Sequence, residues 1–384
     1  MSRRKICVVV ASRANYGRVK YLLKAISSHP ELELQLIVGA SALLERFGKA
    51  EKVIRADGFV PAHTIHYVVE GETLETQAKS TGMGIIELTT AFSNLKPDMV
   101  VTVADRFETM ATAIAASYLN IRLVHLQGGE VSGNIDDRVR HAITKLADFH
   151  FVATEQSRER VVRMGEAPEM VFNYGCPAMD VLTHEDMSIS NELMSRYGGV
   201  GESIDWEKPF LLMVQHPVTT SFGDGLQQIQ ATLSALAEVE GYQKIVLWPN
   251  PDAGSDDVSK GIRLFRESGK AQGFHFFRNF SPEDYARILA NAHCAIGNSS
   301  SFLREGSFLG VPVVLVGDRQ QDREHGENIA FSGYAKSDVL ETVQRQLKHG
   351  RYPASRIFGD GRTGERIAAE LTTLPLIYNK RIQY

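Results

Sequence analysis

The stretch "KICVVVA" near the start is apolar without interruption, and it is the first of many such runs. "LQLIVGA", "TIHYVV", "DMVVTVA", "IRLVHLQ" and "FHFVAT" follow in the N-terminal half, each parted from the next by a more polar segment. Runs that do not alternate with polar residues read as strands buried on both faces, which requires a parallel sheet covered by helices. The intervening segments include "VKYLLKAIS", "SALLERFGKAEKVIRA", "FETMATAIAASYL" and "DDRVRHAITKLAD", and they carry the helical period. This alternation predicts a doubly wound α/β domain.

The rhythm lapses across residues 182–208, a polar stretch with a Gly-Gly-Val-Gly cluster that reads as a linker. It restarts with "FLLMVQH", "KIVLWP", "FHFFRN", "HCAIGN" and "VPVVLV", again with helical segments between them. A chain of 384 residues, 43% hydrophobic and 23% charged, holds material for two cores. The expectation is an N-terminal domain over 1–185, rejoined by a C-terminal helix at 366–384, and a second domain over 186–365. Tandem domains of this class bind ligands in a central cleft, at loops that follow strand C-termini.

Several functions lose support. The net charge of −4 gives no nucleic-acid footprint. Cys7, Cys176 and Cys294 stand alone, so neither a disulfide framework nor a cysteine-rich zinc site is expected, and a reducing cytoplasm fits. No apolar run approaches the ~18 residues of a membrane span, and the apolar start is too short for a signal peptide. Missing too are G-x-x-x-x-G-K-[ST], a post-strand G-x-G-x-x-G, H-E-x-x-H and D-x-D. An ATPase, a nicotinamide enzyme, a zinc hydrolase and a metal-dependent D-x-D transferase are therefore disfavoured. No metal and no cofactor is expected.

The loops after strands carry the chemistry. In "VADRFET", Asp105 and Arg106 precede a helix; Asp105 reads as an N-cap or a cleft carboxylate, and Arg106 as its surface partner or as a substrate-binding residue. In "HLQGGEVSGNIDD", His125, Gln127, Glu130 and Asp136 crowd one glycine-rich loop, with Asp137 or Asp136 free to cap the next helix and Asp137 spaced to pair with His141. Neighbouring carboxylates push their pKa values apart, so that one serves as base and another as acid. His216 ends a strand in "VQHPVTT". In "IGNSSSFLREG", Ser299, Ser300 and Ser301 sit at a helix start, either as plain caps or as an anion seat, with Glu305 one turn on, suited to ribose hydroxyls. Asn250 and Asp252 in "WPNPDAGS", Arg319 in "VGDRQQD" and Arg13 in "ASRANYG" complete the set.

Together, "ASRANYG", "ADRFET", "HLQGGEVSGNIDDRVRHAITKLAD", "QHPVTT", "WPNPDAGS" and "IGNSSSFLREGSFLGVPVVLVGDRQ" resemble the hydrolysing UDP-N-acetylglucosamine 2-epimerases of sialic and nonulosonic acid biosynthesis, in order and over nearly the whole chain. The resemblance implies a GT-B fold, two Rossmann-like doubly wound domains with UDP held mainly by the second. It implies conversion of UDP-GlcNAc and water to ManNAc and UDP through a glycal, by a homodimer or tetramer. Asp105 and Asp136 match catalytic positions; Arg13, His216, Ser299, Ser300, Glu305 and Arg319 match UDP-contacting ones. Gln127 departs from the pattern, because several relatives have glutamate there and an amide cannot transfer that proton. Either Gln127 only orients substrate or water, or Glu130, His125 and Asp105 share the work. A UDP-2,4-diacetamido-2,4,6-trideoxy-glucose substrate is the alternative, and a GT-B glycosyltransferase or a UDP-sugar sensor are competing classes.

Overall fold

The computed structural model describes residues 3–45, 49–70, 73–131, 135–218, 223–249 and 255–383. The chain divides into two units, Met1–Asp180 with Phe358–Tyr384, and Val181–Ile357. The division falls after Asp180, a few residues before the expected 185, and the return to the first unit begins at Phe358 rather than at 366.

In the first unit, β1 (Arg4–Val10), β2 (Leu32–Gly39), β3 (His63–Ile65), β4 (Met99–Val103), β5 (Arg122–Leu126), β6 (Phe149–Val152) and β7 (Val171–Asn173) form one sheet. Every pair is parallel, in the order β3-β2-β1-β4-β5-β6-β7. The helices are α1 (Arg13–Ser28), α2 (Ala50–Ala56), α3 (Leu74–Leu95), α4 (Phe107–Tyr118), α5 (Ile135–Leu146) and α6 (Glu155–Arg163). Burial on both faces explains the uninterrupted runs: along β1, Ile6, Val8 and Val10 enter one core cluster while Cys7 and Val9 enter another. The strand order reverses between β1 and β4, the point where open α/β sheets bind ligands.

The second unit opens with α7 (Val181–His184), α8 (Asn191–Met194) and β8 (Val200–Gly201). The linker reading of 182–208 is thereby corrected: this stretch is part of the second unit. Its anchor is Trp206, which is buried against Phe210, Phe277 and Phe280 at ring distances of 5.9, 5.7 and 6.1 Å. One large apolar residue in a polar segment sufficed to dock it. The sheet continues with β9 (Phe210–Val214), β10 (Gln243–Leu247), β11 (Phe274–Phe277), β12 (Cys294–Gly297), β13 (Val313–Val316) and β14 (Ile329–Ser332). Its order is β14-β13-β12-β9-β10-β11-β8, parallel except for the antiparallel β8 edge. The order reverses again, between β9 and β12. Helices α9 (Gly225–Ala237), α10 (Ser255–Glu267), α11 (Pro282–Asn291), α12 (Ser300–Leu309) and α13 (Lys336–His349) connect its strands. Tandem Rossmann-like units of this topology are the anticipated GT-B fold.

The chain then returns to the first unit through α14 (Thr363–Thr373), which packs on α1. The expected helix at 366–384 is corrected: it starts and ends earlier, and residues 374–383 run on without helix. They are nonetheless tied down. Arg122 donates to the Tyr378 carbonyl at 2.6 Å, the Gln383 amide donates to the Gly165 carbonyl at 2.9 Å, and Lys380 donates to the carbonyls of Thr144 and Ala147 at the end of α5. Cys7, Cys176 and Cys294 are buried thiols outside any disulfide. Among the described residues, no helix is long and apolar enough to cross a membrane.

Candidate functional site

The first-unit candidates lie at the C-terminal ends of β1, β4 and β5, which are neighbours in the sheet. Arg13 is the first residue of α1, whose N-cap Ser12 accepts a hydrogen bond from the Asn15 amide. Asp105 follows β4. It is not the cap of α4, since Arg106 holds that position without a side-chain cap bond. Nor does Arg106 pair with Asp105; its Nε donates to Glu108 at 3.2 Å. The partner of Asp105 is Arg140, one turn into α5. The same guanidinium pairs with Asp137 and donates to the Glu130 carbonyl at 2.8 Å. Its side chain is only 3% exposed. Burial opposes its charge, but Asp105, Glu130 and Asp137 outweigh that and raise its pKa.

Arg140 is thus the hub that gathers the β4–α4 and β5–α5 loops, and sequence reasoning missed it. The signal was present: Arg140 lies three residues past Asp137, on the helical face where such pairs meet. Asp137, set aside as a helix cap or a partner for His141, turns inward to this hub. Asp136 is half-buried in the same first turn of α5. The loop backbone is pinned from the other side as well, with Arg160 donating to the Gly129 carbonyl. Gly129 has φ +77°, and a Cβ there would lie 2.3 Å from the Ser157 carbonyl oxygen, so no other residue fits this approach.

Two candidates change meaning. Gln127 is 2% exposed and left-handed, with φ +63°. Its Oε1 accepts from Arg18 at 3.0 Å, its Nε2 donates to Cys176 Sγ at 2.8 Å, and its backbone amide donates to Phe151. Both ends of the amide are committed to protein partners, so Gln127 is a strut between α1 and the loop before α7. A glutamate here would lose the donor to Cys176.

His125 is fully buried. Nε2–H donates to the Ala104 carbonyl at 2.9 Å, and Nδ1 faces the Thr144 hydroxyl at 3.2 Å. Burial drives its pKa down to about 3. A neutral imidazole sealed from solvent does not exchange protons with a substrate, which corrects its reading as an acid–base group.

Across the β5–β6 register, His125 faces His150. His150 is also fully buried, and burial lowers its pKa. Its Nε2 donates to Glu166 at 3.1 Å, and Glu166 also accepts from Lys145 and Lys380, each at 2.6 Å. Burial alone would raise the Glu166 carboxyl; these three donors hold it down at about 2.

A pH dependence of stability follows. Unfolded histidine takes up protons below about pH 6.5, whereas folded His125 stays neutral to about pH 3, so the unfolded chain binds more protons and stability falls with pH through that window. Glu166 extends the loss, because its contribution is complete above the unfolded carboxyl pKa and fades as pH drops toward about 2. Urea unfolding should lose roughly 1–3 kcal/mol per pH unit below pH 6, and His125→Gln should flatten that slope. A flat profile between pH 7 and 5 would mean both imidazoles titrate in the folded state.

In the second unit, the candidates cluster at the ends of β9, β12 and β13. Asn298 organises them. Its Oδ1 accepts from the His216 amide at 2.7 Å, its Nδ2 donates to the His216 carbonyl at 2.9 Å, and its carbonyl accepts from Gln320 Nε2 at 3.1 Å. Gly297 makes the approach possible: with φ +135°, a Cβ would sit 2.0 Å from the Val214 carbonyl oxygen. Ser299 is the N-cap of α12 and accepts from the Ser301 amide, so plain capping holds for that residue. Its Oγ also bonds Ser301 Oγ at 2.8 Å, and Ser301 bonds the hydroxyl of the half-buried Tyr285. Ser300 accepts from the buried Arg304 at 3.3 Å. Glu305 and Arg319 are half-buried nearby in sequence. Asn298 and Tyr285 were not anticipated. Asn250 and Asp252 lie outside the described residues. Among the described residues, no three His, Cys, Asp or Glu side chains form a metal-binding group.

The chain matches the family model described as "UDP-N-acetylglucosamine 2-epimerase" over residues 24–372. It is 33% identical to the UDP-N,N'-diacetylbacillosamine 2-epimerase (hydrolyzing) of Legionella pneumophila, covering 97% of both chains. It is 31% identical to the UDP-N-acetylglucosamine 2-epimerase of Neisseria meningitidis, covering 99% of this chain and 98% of that one. A crystal structure of a UDP-GlcNAc 2-epimerase from Neisseria meningitidis bound to UDP-GlcNAc shares the fold, with a TM-score of 0.81 at 17% identity, covering 96% of this chain and 100% of that chain. With the topology, the loops after β4 and β5 and these matches in agreement, the chain belongs to the UDP-N-acetylglucosamine 2-epimerase family.

Proposed function

We propose that the chain is a hydrolysing UDP-sugar 2-epimerase that converts UDP-GlcNAc and water to ManNAc and UDP. The observation that carries this reading is the convergence of Asp105, Asp137 and the Glu130 backbone on buried Arg140, with Asp136 in the same helical turn. In the proposed reaction a carboxylate takes the C2 proton. The C1–O bond breaks, UDP leaves with the electron pair, and a glycal forms. Water then adds its hydroxyl to C1, while a protonated group delivers hydrogen to the opposite face of C2. Carboxylates on more than one loop suit removal on one face and delivery on the other. Asp105 and Asp136 are assigned the main roles, with Glu130 contributing and Asp137 orienting Arg140.

UDP departure needs fixed donors for its developing charge. The α12 N-terminus with Ser299, Ser300 and Ser301 suits the diphosphate, Glu305 the ribose, and His216, Arg319 and Arg13 the remaining contacts. Arg106, turned toward Glu108, is left at the edge of this assignment.

A second reading keeps the chemistry and changes the sugar to the 2,4-diacetamido-2,4,6-trideoxy analogue. One observation favours it: the 33% identity to a relative whose name specifies a diacetylated nucleotide sugar. The test is one panel in D2O with both UDP-sugars. Free UDP and a C2-inverted sugar carrying deuterium at C2 are expected from one of them. Release of neither product, or a product formed only when an acceptor is supplied, would overturn the reading.

A further inference from the structure

We propose that His125 is a positioning residue that holds the turn bearing Asp105 in register with α5. The inference rests on the proton-transfer role given to Asp105 above. Ala104, just before Asp105, sits in the left-handed region with φ +66°, where an alanine needs outside support. That support comes from β5. The Ala104 amide donates to the Leu126 carbonyl at 3.0 Å, and the Ala104 carbonyl accepts from His125 Nε2 at 2.9 Å. The other ring nitrogen faces Thr144 on α5, and the Thr144 hydroxyl also reaches the carbonyl of Arg140 at 3.0 Å. One buried ring therefore touches both elements whose side chains meet in the Arg140–Asp105 pair.

The packing leaves the ring no other use. A Cβ on Gly128 would lie 3.1 Å from Nδ1, so the loop backbone closes over it. Lys380 reaches the same helix segment through the Thr144 carbonyl at 3.1 Å. A polar path thus runs from the returning residues near the C-terminus, through Thr144 and His125, to the peptide that precedes Asp105.

His125→Phe fills the same space and removes both hydrogen bonds. The expected result is a kcat lower by about 100-fold, the scale of a misplaced catalytic group, with KM within about threefold. His125→Gln, whose amide can still donate toward Ala104, should recover most of that loss. Backbone amide exchange over residues 104–107 should quicken in the Phe variant and stay near native in the Gln variant. A Phe variant with unchanged kcat and unchanged exchange overturns the proposal. Equal loss in both variants with unmoved exchange overturns it too. Should the Phe variant not fold, Thr144→Val decides: a fall in kcat with faster exchange over 104–107 supports the proposal, and no change in either overturns it. If the unaltered protein releases UDP from no UDP-sugar, the functional reading fails separately, and the exchange measurements still judge the turn.

Discussion

Asp105→Asn should abolish turnover while leaving UDP affinity within about twofold of native. The side chain keeps its size and loses both its charge and its capacity to accept a proton, and removing a general acid or base of this kind costs about 10²–10⁴ in rate. Apart from Arg13, the groups assigned to UDP lie in the second unit, on α12 and the loops after β9 and β13, so UDP binding should survive. The measurement is UDP release in the steady state together with calorimetric titration of UDP. Retained turnover would remove Asp105 from its assigned role. Parallel loss of turnover and UDP affinity would assign it to binding instead.

Arg140→Met is the second large effect, and it acts on stability as well as rate. The guanidinium is buried and faces two carboxylates that are each about one-fifth exposed. Removing one partner of a buried pair costs about 3–5 kcal/mol, because the remaining charge has lost its compensation. The partial exposure of Asp105 and Asp137 lets water take up some of that burden, so the lower end, about 3 kcal/mol, is expected. For a unit of this size that is a fall in Tm of roughly 6–12 °C. Turnover should fall with it, since both loops lose their common anchor. Arg140→Lys keeps the charge but cannot grip both carboxylates and the Glu130 carbonyl in one plane, so it should restore part of the stability and little of the rate. A Tm within about 2 °C of native for Arg140→Met would show that the pairs contribute no more than exposed ones do.

Much of this architecture was legible because burial on both faces leaves a plain mark. Runs such as "DMVVTVA" admit hardly any reading but a central parallel strand, and β4 lies where that run does. Edges were harder. β7 and β14 are short and partly exposed, and β8 has two residues in a polar stretch, so none has the composition of a buried strand. At the site, acidic residues in loops were easy to find, and their partners were not. Asp105 is visible from its place after a strand. Arg140 is visible only once α5 is folded against α4, because the pair spans 35 positions of sequence. His125 shows the opposite error. Its residue type and its loop suggested acid–base work, and only the fold reveals that Ala104, Thr144 and Gly128 enclose it. Gln127 was conspicuous as an oddity, and its meaning lay in two distant partners, Arg18 and Cys176.

The return of residues 358–383 to the first unit bears on the order in which the molecule can be made. Arg4, at the start of β1, donates to the carbonyls of Leu371 and Leu374, and α14 lies along α1. A chain emerging from the ribosome has all of 181–357 available before this closing segment appears. The second unit can therefore finish folding during synthesis, while the first waits with one flank of its core uncovered and with Glu166 lacking the Lys380 ammonium. Although its strands are made first, the unit that carries Asp105 is the one completed last.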